Sequence, residues 1–168
     1  MYKRQINQLL GQLTVYQAQL FDIEQLIEDK LKEVPYSKYI LQIRGIGPNI
    51  CAAIISESAD LRKYSYAKQL QKLAGLNLYE ISSGIYKGKR RITKRGRSLL
   101  RKMLYFAALN TSKKGGILYD TYQMHLAKGM KKKQALIAIS RKLITIIYAV
   151  VRDNSDYIEN YGEKKKAA

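Results

Sequence analysis

Apolar residues recur in heptads along the first 34 residues. Ile6, Leu13, Leu20, Ile27 and Val34 fall seven apart, and Leu9, Tyr16, Ile23 and Lys30 fill a second seam. Glu24, Glu28 and Asp29 lie off that seam. A strict seven-residue repeat drifts around a straight helix and stays on one side only if the helix supercoils with another. The pattern predicts a coiled-coil helix over residues 1–36, broken at Pro35, whose ring cannot continue a helix. An amphipathic helix packed on its own domain is the plainer reading of the same stripe. Lys30 on the seam weakens its far end.

Beyond Pro35 the spacing changes. A short helical stretch, Ser37–Ile43, precedes Arg44-Gly45-Ile46-Gly47-Pro48 and a second apolar run, Asn49–Ser56. Ala67–Ala74 reads as a short helix closed by Gly75. Residues 76–92 contain Gly84 and Gly88 and no helical period. Leu78, Ile81, Ile85 and Tyr86 there fit a loop or an irregular hairpin. Three further helices are expected at 96–112, 117–128 and 132–152, separated by Gly115-Gly116 and Gly129. The last carries a core-facing stripe of Ala135, Leu136, Ile139, Leu143, Ile146, Ile147 and Val150. From Asn154 onward the pattern fades into an expected loose tail, 154–168. The fold class is therefore mostly α: a helical domain over 37–153 with a helix-hairpin-helix and a short irregular or hairpin segment, preceded by a long coiled-coil helix.

Charge divides the chain in the same place. Residues 1–36 hold 4 basic and 5 acidic side chains, and residues 37–168 hold the remaining 27 basic and 8 acidic ones. The net charge of +18 exceeds what solubility asks for and points to a polyanionic partner, nucleic acid first and an anionic membrane surface second. Cys51, the one cysteine, cannot form an internal disulfide and sits in an apolar run, as a core residue does. The N-terminus has no signal-type apolar core, and no apolar stretch is expected to supply the roughly 20 residues of a membrane span. A cytoplasmic location in a bacterium or archaeon is expected.

Three constellations could carry chemistry. In Gly45-Ile46-Gly47 the glycines would allow backbone angles closed to other residues, Ile46 would point inward, and the N–H groups opening the next helix would meet a phosphate. Such contacts hold a nucleic-acid backbone without reading bases. A plain tight turn is the simpler alternative. Second, Gly84–Lys102 contains Lys87, Lys89, Arg90, Arg91, Lys94, Arg95, Arg97, Arg101 and Lys102 and no acid. A basic loop feeding a basic helix is an electrostatic track for phosphates. Third, Ser82-Ser83-Gly84 precedes that run. A serine flanked by cations suits attack on a phosphodiester, although most such triplets are ordinary turns. His125 is the sole histidine, and Glu57, Asp60 and Glu80 are scattered, so no metal site is expected here.

Taken in order, several motifs resemble one known family. Gly45-Ile-Gly-Pro, Lys68-Gln-Leu, Ala74-Gly-Leu, Ser82-Ser-Gly, Arg91-Ile-Thr-Lys-Arg-Gly and Leu99-Leu-Arg look like the C-terminal transposase domain of the insertion-sequence 110 family. Arg141-Lys-Leu and Tyr148 continue the likeness, which covers residues 37–153. The resemblance implies a DNA recombinase, guided in some members by a structured bridge RNA. It implies an N-terminal RuvC-like domain with an Asp-Glu-Asp-Asp magnesium site, joined by a coiled coil that mediates self-association. It implies a serine that bonds covalently to DNA, mapping to Ser83 with Ser82 as fallback. Residues 1–36 are too few for the RuvC-like domain, so a fragment starting inside the coiled-coil linker is expected, inactive alone and without its own cofactor. The rivals are a non-enzymatic helix-hairpin-helix DNA-binding module and an RNA-binding protein.

Overall fold

The computed structural model describes residues 2–80, 82–83, 86–87 and 91–158, with the pairs 82–83 and 86–87 described by backbone alone. Seven helices are assigned among them: α1 (Tyr2–Lys32), α2 (Ser37–Leu41), α3 (Pro48–Ser58), α4 (Ala67–Leu73), α5 (Ser98–Thr111), α6 (Tyr119–Ala127) and α7 (Lys132–Asp153). Between α4 and α5 lie four two-residue strands, β1 (Leu78–Tyr79), β2 (Ser82–Ser83), β3 (Tyr86–Lys87) and β4 (Arg91–Ile92). The mostly helical architecture follows the sequence pattern, and α5, α6 and α7 fall within two residues of their expected bounds.

The core is organised around α7. Its buried face is wider than the expected stripe: Ile139, Leu143, Ile147 and Val151 are almost fully enclosed, with Ile144 and Tyr148 beside them. Each such aliphatic side chain contributes about 1.5–3 kcal/mol by leaving water. Small residues let α5 approach closely, with Ala107 and Ala108 wholly buried on its side and Ser140 on that of α7. The Ser140 hydroxyl donates to the Leu136 carbonyl of its own helix at 2.9 Å and lies 3.3 Å from the Leu104 carbonyl of α5. α7 also corrects the expectation about membrane spans. It is long and apolar enough to cross a bilayer, but its apolar face is spent on this core, with 56% of its most apolar stretch buried.

Hydrogen bonds give the helix directions. Asn110 near the end of α5 donates to the Gly45 carbonyl, while Gln42, in the same turn, bonds Asp156 and the Tyr157 N–H just past α7. The C-terminal ends of α5 and α7 therefore meet one turn, and their N-terminal ends share the opposite end of the bundle. α4 runs the other way beside α7: the Tyr148 hydroxyl donates to the Ser65 carbonyl, and Gln71 to the Arg141 carbonyl. Asp156 and Tyr157 of the expected loose tail are thus held by Gln42, and residues 159–168 lie outside the described residues.

α1 contacts the domain only at its end. Leu31 is buried and Ile27 half-buried, but Ile6, Leu13 and Leu20 are more than half exposed. The heptad face up to Leu20 is exposed, and from Ile23 onward it borders a groove shared with Ala52 and Ile55 of α3. The single long helix agrees with the sequence, and its free apolar face departs from the plainer alternative of a helix packed along its own domain.

Two glycines decide local geometry. Gly45 has a φ of +105°, and a Cβ there would sit 2.9 Å from the Thr111 methyl. Gly96 has a φ of +148°, and a Cβ there would collide with the Leu73 carbonyl oxygen. The motif asks special angles of Gly47 too, but its φ of −87° is open to any residue and nothing stands within 4 Å of its missing Cβ. Gly96→Ala is therefore expected to destabilise the domain by about 2 kcal/mol or more, from left-handed strain plus a backbone collision. Gly47→Ala should cost less than about 1 kcal/mol, as the loss of a favourable helix cap. Thermal melts of the two variants check the contrast, and equal losses would contradict it.

Candidate nucleic-acid interface

The basic segment is a two-step hairpin fastened to the end of α4. α4 closes in a turn where the Gly75 N–H reaches the Lys72 carbonyl and the Leu76 N–H reaches that of Gln71. This double closure is the usual end of a helix whose next residue is left-handed, and Gly75 has a φ of +66°. The hairpin returns onto the same turn. The Thr93, Lys94 and Arg97 N–H groups donate to the carbonyls of Asn77, Gly75 and Leu73, at 2.8, 3.0 and 2.8 Å. Lys94 takes a left-handed φ of 55°, a strained conformation held by these bonds.

Ladder register describes the rest of the hairpin. β1 pairs antiparallel with β4, Leu78 opposite Ile92 and Tyr79 opposite Arg91. β2 pairs with β3, Ser82 opposite Lys87 and Ser83 opposite Tyr86. The two ladders are offset by one residue, the signature of an extra residue on the returning side. Ser83 lies up to about 13 Å along the chain from the anchored Tyr79, at roughly 3.3 Å per residue. The ladder thus sets Lys87 across from Ser82, whereas Lys94, Arg95 and Arg97 belong to the base. Lys89 and Arg90, and the glycines Gly84 and Gly88, lie outside the described residues.

The remaining cations divide by role. Arg91, Lys94, Arg95, Arg97 and Lys102 are exposed. Arg97 stands immediately before α5 without a side-chain cap bond, and its guanidinium lies 3.9 Å from the Glu57 carboxylate at the end of α3. The Lys102 ammonium lies over the Phe106 ring, 5.8 Å from its centre. Arg101 is half-buried and directed inward: its guanidinium donates to the Ala74 carbonyl at 2.9 Å and to that of Lys94 at 3.3 Å. It ties the hairpin base to α4, so Arg97 and Arg101 do not form the shared basic face their spacing suggests. Sequence spacing gives their separation but not the carbonyl cluster that waits beside one of them.

The Gly45–Gly47 turn stands apart from this surface. Ile46 is buried, as its place in the motif suggests, and the Cys51 N–H reaches the Gly47 carbonyl as α3 begins. Gly45 packs on Thr111 at the C-terminal end of α5, while the hairpin base packs at the N-terminal end. The 14 residues of α5 separate the two, a distance of about 20 Å at roughly 1.5 Å per residue. The two features that the sequence offers for holding a nucleic-acid backbone are two locations.

Other candidate groups stay within the fold. Cys51 is buried and its thiol is pushed up to about 12 by burial, so it is no nucleophile at neutral pH. Asp60 is held below the usual carboxylate range by its bonds to Arg62, and it starts the short turn Leu61–Lys63. His125 lies in α6 with a buried Nδ1 that has no hydrogen-bond partner among the described residues. Among the described residues no three His, Cys, Asp or Glu side chains gather in a group able to hold a metal.

Comparison with known proteins places this arrangement in a family. Residues 37–123 match the family described as Transposase IS116/IS110/IS902. The stretch includes the glycine turn, the hairpin and α5. A pilin gene-inverting protein of Moraxella bovis is 34% identical over 123 residues, covering 72% of this chain and 38% of its own length. An uncharacterised 44.8 kDa protein of insertion element IS116 from Streptomyces clavuligerus is 26% identical over 145 residues, 86% of this chain and 36% of that protein. An uncharacterised 43.6 kDa protein of insertion element IS110 from Streptomyces coelicolor is 25% identical over 155 residues, 90% of this chain and 38% of that protein. The chain spans less than two fifths of the length of these relatives. With its match running through the glycine turn, the hairpin and the helix that anchors it, the chain belongs to the IS116/IS110/IS902 transposase family.

Proposed function

We propose that this chain is the part of a DNA transposase that grips the DNA backbone and presents the serine nucleophile for strand exchange. The observation that carries the proposal is the basic hairpin itself. Its base is locked to the end of α4 by backbone bonds and to α5 by the Arg101 side chain, exposed cations ring that base, and Ser82-Ser83 form a strand farther out. A rigid cationic base holds phosphates without reading sequence, and a projecting strand can carry a hydroxyl to one of them.

The step assigned to Ser83 is in-line attack of its Oγ on a DNA phosphorus. A serine–phosphorus bond forms, the bond from phosphorus to the 3′-oxygen breaks, and that oxygen leaves as a 3′-hydroxyl, taking up one proton as the serine gives one up. The 5′-phosphoserine stores the bond energy until another 3′-hydroxyl attacks and releases the serine. Lys87 and the arginines of the segment would offset the charge developing on the phosphate. Ser82 is the alternative nucleophile. The magnesium implied by the family finds no fitting group of ligands among the described residues, so this chain's own share is binding, positioning and the hydroxyl. Self-association through the free heptad face of α1, and contact with a structured guide RNA, belong to the same proposal.

The chain is expected to bind duplex DNA with little sequence preference and strong salt dependence. With about six phosphates held, affinity should fall roughly a thousandfold between about 50 and 200 mM salt, as bound counterions are released. Fluorescence anisotropy at several salt concentrations measures this, and a flat dependence would remove the electrostatic grip.

In a complete transposase carrying this domain, Ser83→Ala should abolish the covalent protein–DNA adduct seen on denaturing gels. Binding should change little, since one neutral hydroxyl is worth about 1 kcal/mol. Persistence of the adduct in Ser83→Ala moves the role to Ser82, and persistence in the double variant excludes both serines as the nucleophile; a wild-type protein that binds DNA but never forms an adduct favours the non-enzymatic binding module.

Leu20→Asp, in the middle of the exposed heptad face, should shift the chain toward monomer in sedimentation velocity. A wild-type chain already monomeric at high concentration would exclude self-association through α1.

A further inference from the structure

We infer that Lys128, Lys131, Lys132 and Lys133 extend the hairpin's phosphate track across the end of the bundle, so that one duplex is held by both. The inference rests on the DNA-binding reading above and adds a surface that no sequence motif marks. The four lysines lie at the corner between α6 and α7, and all are exposed. All of α6 and most of α5 stand between them and Lys102 along the chain, so sequence spacing separates them from the basic run.

The fold brings them back. α5 and α7 touch at mid-length through Ser140 and Leu104, and their C-terminal ends converge on the turn at 42–45. Running in the same direction, they bring their N-terminal ends to one side. Arg97 lies two turns before Leu104, and Lys132 a little over two turns before Ser140, about 10 and 12 Å back along the two axes. α4 fixes the side: Gln71 reaches Arg141 in the N-terminal half of α7, and two residues later Leu73 accepts the Arg97 N–H. The α6–α7 corner and the hairpin base therefore lie toward the same end of the bundle.

Lys128 closes α6, where a cation suits the helix end, but the fold gives the other three ammonium groups no stabilising job. Lys131, Lys132 and Lys133 crowd the start of α7, where the aligned peptide dipoles already present positive charge, and its first turn holds no acid. α5 begins at the same end with Arg95 and Arg97 and likewise no acid in its first turn. Cations at the start of a helix destabilise it, and adjacent lysines add mutual repulsion. Among the described residues no ion pair engages any of the four. Arg97, by contrast, faces Glu57. A phosphate backbone laid over this end answers both helix starts and both cation groups together.

The test uses the whole chain and fluorescein-labelled duplex DNA of unrelated sequences, read by anisotropy from about 50 to 300 mM salt. Replacing Lys128, Lys131, Lys132 and Lys133 together by Gln should weaken binding at least roughly tenfold at about 100 mM salt and lower the slope of log affinity against log salt by about 3, near one for each phosphate no longer neutralised. Lys94→Gln with Arg95→Gln should lower it by about 2, and the combined variant should show the sum, as expected for a single track. Circular dichroism should show unchanged helicity, with a melting temperature equal to or above wild type because repulsion at the start of α7 is relieved. An unchanged slope in the lysine variant overturns the extension while leaving the hairpin grip standing. An unchanged slope in the hairpin variant as well, or no DNA binding by the wild-type chain, overturns the underlying reading. If the lysine variant loses affinity for a structured RNA hairpin but not for duplex DNA, the surface serves RNA and the assignment to the same duplex is wrong.

Discussion

Where Gly96 crosses the end of α4, backbone meets backbone with no room for a Cβ, and the placement of every cation in the hairpin base follows from that contact. Leu73, Gly75 and Asn77 supply the carbonyls and Arg97, Lys94 and Thr93 the N–H groups. Arg101 closes the joint from below with two further bonds. Each backbone bond is worth about 1 kcal/mol net, and those from a charged guanidinium somewhat more. Unit charges roughly 4 Å apart in water repel by about 1 kcal/mol, and cations spread over a surface repel less. The joint therefore outweighs the repulsion of the basic side chains it holds, and the surface can stay cationic without a partner present.

A second segregation makes this tolerable. The charge sits at the ends and outer faces, while the middle of the bundle is filled by Ile139, Leu143 and Ile147 against Leu100 and Leu104. α7 is apolar enough to be mistaken for a membrane segment because it is the central helix, covered by α4, α5 and α6. Its N-terminal lysines stand outside that cover. The same helix thus supplies the deepest burial and, one or two turns earlier, one of the most concentrated positive charges in the described chain.

Much of this is readable from residue order. Helix periodicity marks α5, α6 and α7, the heptads mark α1, and the placement of Gly45 and Ile46 marks the turn before α3. These are local signals, set by spacing and backbone chemistry within a few residues. Where sequence and structure part, the cause is a neighbour distant in sequence. Four-residue spacing makes Arg101 a partner of Arg97 on a basic face, whereas the Ala74 carbonyl that takes it is 27 residues away. Gly47 reads as constrained as Gly45, but only Gly45 meets Thr111. Residue order does not say how the glycine turn and the basic run stand to one another, and α5 sets them at opposite ends. The lysines of the α6–α7 corner carry no signal at all, because nothing near them in sequence suggests the hairpin base.

α5 acts as a spacer whose two ends do different things. At its C-terminal end the glycine turn is first a packing joint: Gly45 lies against Thr111, Asn110 bonds its carbonyl, and Gln42 collects the residues after α7. Removing that turn would loosen three segments at once, so its glycine is explained without any ligand. At the N-terminal end the side chains that point outward are cations with few partners, and the Thr93, Lys94 and Arg97 N–H groups beneath them are bonded to the end of α4 and the residues just after it. Duplex DNA carries about one charge per roughly 1.7 Å of axis, so a cationic end some ~20 Å across can face about a dozen charges, of which one side of the duplex is within reach. In the proposed reading this cationic end supplies nearly all of the grip and the serine strand almost none. That division suits a nucleophile: a hydroxyl that contributes little to holding DNA in the ground state leaves its interaction with phosphorus to be made in the transition state, where it lowers the barrier instead of deepening the bound complex.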